Sequence, residues 1–196
     1  MPRIKQRTPE LRDRVVDVAV STLCEDGMSG FTTRRVAERA GTSVPAVYEL
    51  FSDKDGLLRA VFFEGFRRLG TELIAIPETT DALADLQAVI PVFRRFCLKY
   101  PPLARVMFSR PFQDLDPDPE QLAAAPTVRE ILVGKVHRCI DGGLLAGDPV
   151  DIAHVLLALA QGLAVQEAGR WLGTSAASVN RRWDVGVQAV LSGFQA

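Results

Sequence analysis

Histidine, cysteine and paired acids would carry catalytic chemistry, and here they are few and scattered. His137 and His154 are the two histidines, and neither has a partner nearby in sequence. Cys24, Cys97 and Cys139 are odd in number and widely spaced. On helical apolar faces they read as buried free thiols of a reducing cytoplasm. His137 and Cys139 stand two apart on a helical stretch and point in different directions, which argues against a shared metal. There is no glycine-rich phosphate loop, nucleophile elbow or HExxH pair. No catalytic residue, metal ligand or cofactor is therefore expected, and the remaining chemistry is that of binding. Over residues 1–14, Arg3, Lys5, Arg7, Arg12 and Arg14 outnumber Glu10 and Asp13. That modest basic arm suits phosphate contact, although a solvated, frayed terminus fits the same residues. The net charge of −1 gives the whole chain no basic signature.

The elements that would position a binding surface are clearest between Thr32 and Leu58, TTRRVAERAGTSVPAVYELFSDKDGLL. Thr32 or Thr33 can cap a short helix whose inner face is Val36, Ala37 and Ala40, and Gly41 supplies the left-handed residue that ends it. Ser43 caps a second helix, and Pro45 is tolerated in its first turn because the missing N–H has no intrahelical partner there. Val47 and Phe51, four apart, turn inward, leaving Val44, Ala46, Tyr48 and Glu49 outside. Two helices around such a turn present the second to the major groove of DNA.

This segment resembles the DNA-binding domain of the TetR family of bacterial transcriptional regulators. The shared features are the small-residue helix ending in Ala40-Gly41, the turn Thr42-Ser43, the Val47-Tyr48-x-x-Phe51 element, and Ser52-Asp53-Lys54 opening a helix with Leu57 and Leu58 on its buried side. The likeness covers the first third of the chain closely and the rest as architecture. It implies a homodimeric regulator of double-stranded operator DNA, most often a repressor released by a small-molecule effector. It also implies roles for particular residues. Thr33 and Arg34 match positions of phosphate and base contact, with Arg34 matching an arginine that reads guanine in the family's founding member; bidentate bonding to O6 and N7 would be the reason. Ser43, Val44, Pro45, Ala46 and Tyr48 match groove-facing positions, where the apolar three offer contact to thymine methyls. Tyr48 and Lys54 would meet phosphates. Glu49 departs from the family pattern. It either accepts from cytosine N4, pairs with an arginine, or stays solvated off the groove.

The rest of the chain carries helix signals and no convincing strand, so the expected fold is all-α with about nine helices. Thr8 and Pro9 start a first helix that Gly27 ends. Others are expected over about 53 into the seventies, 82–99, a short piece after Pro101-Pro102, 127–141, from Asp148-Pro149 to about Trp171, and from Ser175 to about Leu191. Residues 111–126, rich in proline and aspartate, form the longest irregular connection. The division expected is a helix-turn-helix domain over 1–52 and an effector-binding and dimerisation domain over 53–196. A hydrophobic fraction of 47% supports a full core.

Phe62, Phe63, Phe66, Phe93, Phe96, Met107 and Phe108 form an aromatic group on the helices that the resemblance makes a cavity wall. Phe62, Phe66, Phe93, Phe96, Met107 and Phe108 are the candidate ligand contacts, for a largely apolar effector; plain core packing explains the same side chains. In VDIAHVLLALAQGLAVQEAG the small residues Ala158, Ala160, Gly162 and Ala164 would admit a second helix closely. The resemblance makes the last two helices the dimer interface, with burial inside the monomer as the alternative. No apolar run reaches the length of a bilayer span and no signal peptide is apparent, so a cytoplasmic location with no membrane partner is expected. The competing function is an all-α ligand carrier or enzyme without DNA binding, which would show no salt-dependent affinity for duplex.

Overall fold

The computed structural model describes residues 8–109 and 128–196. Among them the helices are α1 (Pro9–Gly30), α2 (Thr33–Arg39), α3 (Val44–Phe51), α4 (Lys54–Ile74), α5 (Ala82–Gln87), α6 (Val89–Lys99), α7 (Pro101–Phe108), α8 (Val128–Asp141), α9 (Pro149–Ala168) and α10 (Ala176–Gly193). There is no strand among the described residues, only an isolated bridge between Leu145 and Gln195. The expected irregular connection over 111–126 lies outside the described residues, as do Arg3, Lys5 and Arg7 of the basic arm.

Local chemistry sets most helix ends. The Thr8 hydroxyl accepts from the Leu11 N–H at 3.3 Å with Pro9 following. Thr32, Ser43, Asp148 and Ser175 each cap the helix they precede. Gly27, at φ 66°, interrupts α1 at its expected end, leaving one loose turn beyond it. The helix expected over 82–99 is divided at Ala88. Pro91 is the cause: it has no N–H to donate, and its ring crowds the carbonyl of Gln87 four residues back.

Packing divides the described chain into two units, residues 8–65 with 100–109, and residues 66–99 with 128–196. In the first, α1 packs on α2 and α7, and α2 packs on α3. Its interior is Val15, Ala19, Leu23, Phe31, Val36, Val47, Leu57 and Val61, all sealed from solvent. Gly65 belongs here, where an added Cβ would lie 2.6 Å from Met107 Sδ, so its lack of a side chain admits α7 closely. In the second unit α9 packs against α6, α8 and α10, and α5 against α6 and α8.

Two charge networks pin the second unit. Arg94 grips Glu167 with both arms of its guanidinium, at 2.8 and 2.7 Å, and also donates to Asn180 at 2.8 Å. Trp183 Nε1 donates to the same carboxylate at 2.7 Å, and Arg94 lies over the Trp183 ring. Burial pushes the Glu167 carboxyl up, but these bonds and the Arg94 charge outweigh it and carry it below its ordinary value. In the other network Asp85 accepts from the Thr79 N–H and hydroxyl, both at 2.8 Å, and from Arg138 at 2.7 Å. These bonds, the Thr79 N–H first, hold Asp85 down at about 2 against the effect of burial. Cys97 and Cys139 are buried, Cys24 is half-buried, and all three are free thiols. Burial, helped by the Glu167 charge, pushes Cys97 up to about 12, so it stays protonated and unreactive.

By length and composition α9, at 20 residues, is apolar enough to cross a bilayer. Ile152, Ala153, Leu156 and Ala160 turn into the unit, while Val155 and Val165 are exposed, as are Ala158 and Gly162 between them. Those four recur three and four apart and so share one outward apolar stripe.

Candidate nucleic-acid interface

The turn between α2 and α3 is built from the backbone. The Gly41 N–H reaches the Glu38 carbonyl at 3.2 Å and the Thr42 N–H reaches Ala37 at 3.0 Å. With Gly41 at φ 66° this is the Schellman arrangement, which caps the last carbonyls of α2 and turns the chain sharply. Ser43 then accepts from the Ala46 N–H at 3.3 Å and starts α3. Val47 and Phe51 are buried, and the Arg12 guanidinium covers the Phe51 ring at 5.4 Å. Helical geometry therefore puts Pro45 and Glu49 opposite the buried side. Ser43, Pro45, Tyr48 and Glu49 are exposed, and Val44 and Ala46 half-buried. The outer face of α3 is thus a short apolar ridge with a phenol at one edge and a carboxylate at its centre.

The flanking candidates differ among themselves. Arg34 is 84% exposed and donates from Nε to Glu38 at 2.9 Å, one turn along α2. That bond orients the guanidinium and leaves its two terminal nitrogens outward. Thr33 is instead buried at 6%, so little of it can meet a ligand. Lys54 is exposed at the first position of α4, the positive end of that helix. Asp53 and Asp55 flank it and weaken the local field, with Asp53 also accepting from the Gly56 N–H at 2.7 Å.

Several positioning residues escape local pattern. Arg35 clasps Asp26 with two bonds, 2.6 and 3.0 Å, and Arg39 pairs with Glu25 at 2.7 Å, tying α2 to the end of α1. At the exit of α3, Ser52 takes φ 69° and ψ −53°, and the Asp53 N–H donates to the Phe51 carbonyl at 2.8 Å. This is a γ-turn of the strained, positive-φ kind. Gly56 completes the corner, because a Cβ there would fall 1.9 Å from the Phe51 oxygen. The helices α3 and α4 are therefore joined by a stiff, tight corner.

The candidate ligand contacts fall in different units. Phe62, Met107 and Phe108 belong to the first, and Phe66, Phe93 and Phe96 to the second. Phe62, Phe93, Phe96 and Met107 are buried, and Phe66 and Phe108 half-buried. Within the second unit Leu86, Gln87, Ile90, Leu132, Leu156, Val187 and Leu191 surround a space too narrow to admit a water molecule.

Residues 15–61 match the sequence model of the bacterial regulatory proteins of the tetR family, and residues 86–190 match that of the tetracyclin repressor-like C-terminal domain. The nicotine-responsive transcriptional repressor HdnoR of Paenarthrobacter nicotinovorans is 29% identical over 42% of this chain and 41% of its own length. The chain thus spans under half of that relative. The transcriptional regulator BetI of Paraburkholderia phytofirmans is 28% identical over 80% of this chain and 92% of its own. Among solved structures, a Rhodococcus protein of unknown function superposes with a TM-score of 0.79 at 26% identity, over 97% of this chain and 98% of that one.

Proposed function

Because the chain belongs to the tetR family of bacterial regulatory proteins, we propose that this transcriptional regulator is a homodimeric repressor released from its operator by a small, largely apolar ligand. The observation that carries the reading is the solvent-facing ridge of α3, bracketed by the exposed cations Arg34 and Lys54 and held from behind by Val47 and Phe51. Such a ridge enters a major groove, where Pro45, Val44 and Ala46 meet thymine methyls and Arg34 takes a guanine edge. Tyr48 and Lys54 neutralise or bond phosphates, which sets register without reading sequence.

The outward stripe of Val155, Ala158, Gly162 and Val165 supports pairing through α9 and α10, because two copies present two recognition helices to two half-sites. HdnoR, by name a nicotine-responsive repressor, supports ligand-controlled release in a relative. Release would follow from a change in the separation of the two recognition helices, which fit half-sites one helical turn, about 34–36 Å, or a multiple apart. Selecting genomic fragments on the purified protein and sequencing them tests the reading. An enriched inverted repeat is expected, and uniform retention of all fragments would overturn it.

A further inference from the structure

From Val44 to Phe51, α3 reads VPAVYELF and carries no cation. Its polar side chains are Tyr48 and Glu49, both exposed. Any hydrogen bond that a side chain of α3 makes to a base edge therefore comes from one of these two. Val47 and Phe51 are the buried residues of the helix. Glu49 is two residues from each, which puts it roughly 160° around the axis from both. It stands on the crest of the ridge, with Pro45 roughly 40° to one side and Ala46 roughly 60° to the other. Tyr48 is displaced by roughly 100° toward one flank. A helix seated in a major groove brings its crest to the base edges and its flanks to the phosphate walls. Glu49 is thus turned to the bases and Tyr48 to the backbone.

We infer that Glu49 is the specificity-determining residue of α3 and selects a cytosine in each half-site by accepting from its N4 amine. The inference rests on the reading that α3 enters a major groove, and it adds which base the crest requires. A carboxylate is repelled by the phosphates that draw cations in, so it lowers affinity for every duplex unless a donor faces it. In the major groove only the cytosine N4 and adenine N6 amines donate. Adenine sets its N7 acceptor beside that amine, where it opposes the second carboxylate oxygen, whereas cytosine presents the amine alone. Guanine and thymine turn O6, N7 or O4 acceptors toward the crest and are rejected. Selection thus joins one attraction to several repulsions. An ionised carboxylate has about four lone-pair sites, so the interaction Glu49 has within the protein leaves room for the base. Pro45 and Ala46 flank it with apolar surface, which suits thymine methyls at the neighbouring pairs.

The test selects repeats from a pool of random duplexes on full-length wild type, Glu49→Ala and Glu49→Gln. Each protein is then titrated against the wild-type repeat, single-pair variants of it and a scrambled duplex. The position whose preference Glu49→Ala flattens should hold cytosine in the wild-type selection. Changing that cytosine to thymine in both half-sites should weaken wild-type binding at least about tenfold, the worth of one charge-assisted hydrogen bond. Glu49→Ala should lose this preference alone and hold the scrambled duplex more tightly than wild type, because a charge repelled by phosphate is gone. Glu49→Gln should admit adenine there, whose N6 and N7 suit an amide. The inference is overturned if Glu49→Ala keeps the wild-type preference at every position, or if the flattened position holds another base. It is equally overturned if Glu49→Ala weakens all duplexes alike, or if Glu49→Gln rejects adenine as wild type does. Failure of the functional reading looks different, since wild type then enriches no repeat at all. One repeat enriched identically by all three proteins leaves that reading standing and removes Glu49 from base readout.

Discussion

At the scale of single residues, Arg34 and Lys54 look alike as exposed cations, yet their settings assign them different work. Glu38 steers Arg34 and leaves both terminal nitrogens free for a base edge. Lys54 is a point charge at a helix start, without a directional partner among the described residues. Arg34→Ala should therefore cost about 1–3 kcal/mol on the operator and relax preference at one base pair per half-site. Lys54→Ala should weaken binding to every duplex and reduce the salt slope by about one. Operator and scrambled duplexes titrated over a salt series separate the two, and equal losses on both for Arg34→Ala would remove it from base readout. Gly56 makes a steric prediction. Its replacement by Ala puts a carbon against the Phe51 carbonyl, which is backbone and cannot rotate away. Gly56→Ala should destabilise by about 3 kcal/mol, the upper end for overpacking, in urea unfolding; an unchanged midpoint would show that the corner yields.

At the scale of elements, the helix ends were legible because their causes are local. Gly41 after Ala40, Ser43 before Pro45, and Asp148 before Pro149 each announce a cap within a few residues, and the structure puts a hydrogen bond at each. The break at Ala88 was equally local, yet the apolar periodicity of 82–99 masks what Pro91 does one turn back. Ties between elements were not legible. Arg35 finds Asp26 nine residues away, and Arg94 finds Glu167 at a separation of 73; no periodicity encodes such pairs. The exposed side of α3 follows from Val47 and Phe51, whereas the burial of Thr33 follows only from packing. The Asp85 network makes an element-scale prediction. A carboxyl held at about 2, below its ordinary 3.8, contributes stability that is fully present above pH 4 and lost as pH falls through about 2. Wild type should lose melting temperature over that window as α5 loosens from α8. Asp85→Asn should start lower at pH 7 and fall less steeply. Parallel acid melting curves for the two proteins would contradict this.

At the scale of the whole molecule, the account requires two copies. Gly162 is exposed and an added Cβ there would meet nothing within 4 Å, so a larger residue leaves the single chain's fold undisturbed. In a paired stripe the same change puts an uncompensated carboxylate into an apolar contact. Gly162→Glu should therefore sediment as a monomer, melt cooperatively, and bind the operator far more weakly than wild type. A dimeric Gly162→Glu protein would move the interface elsewhere.

The central claim is sequence-specific DNA binding by the α3 ridge. The measurement that tests it most directly is wild-type affinity for a selected inverted-repeat duplex against a scrambled one, from 50 to 200 mM salt, a range chosen so that phosphate contacts lose roughly 10³–10⁵ in affinity. The account predicts a specific complex of two chains per duplex, tighter than the scrambled complex by about 10³ or more, with both weakening as salt rises. Equal affinity for the two duplexes, or binding indifferent to salt, would contradict it.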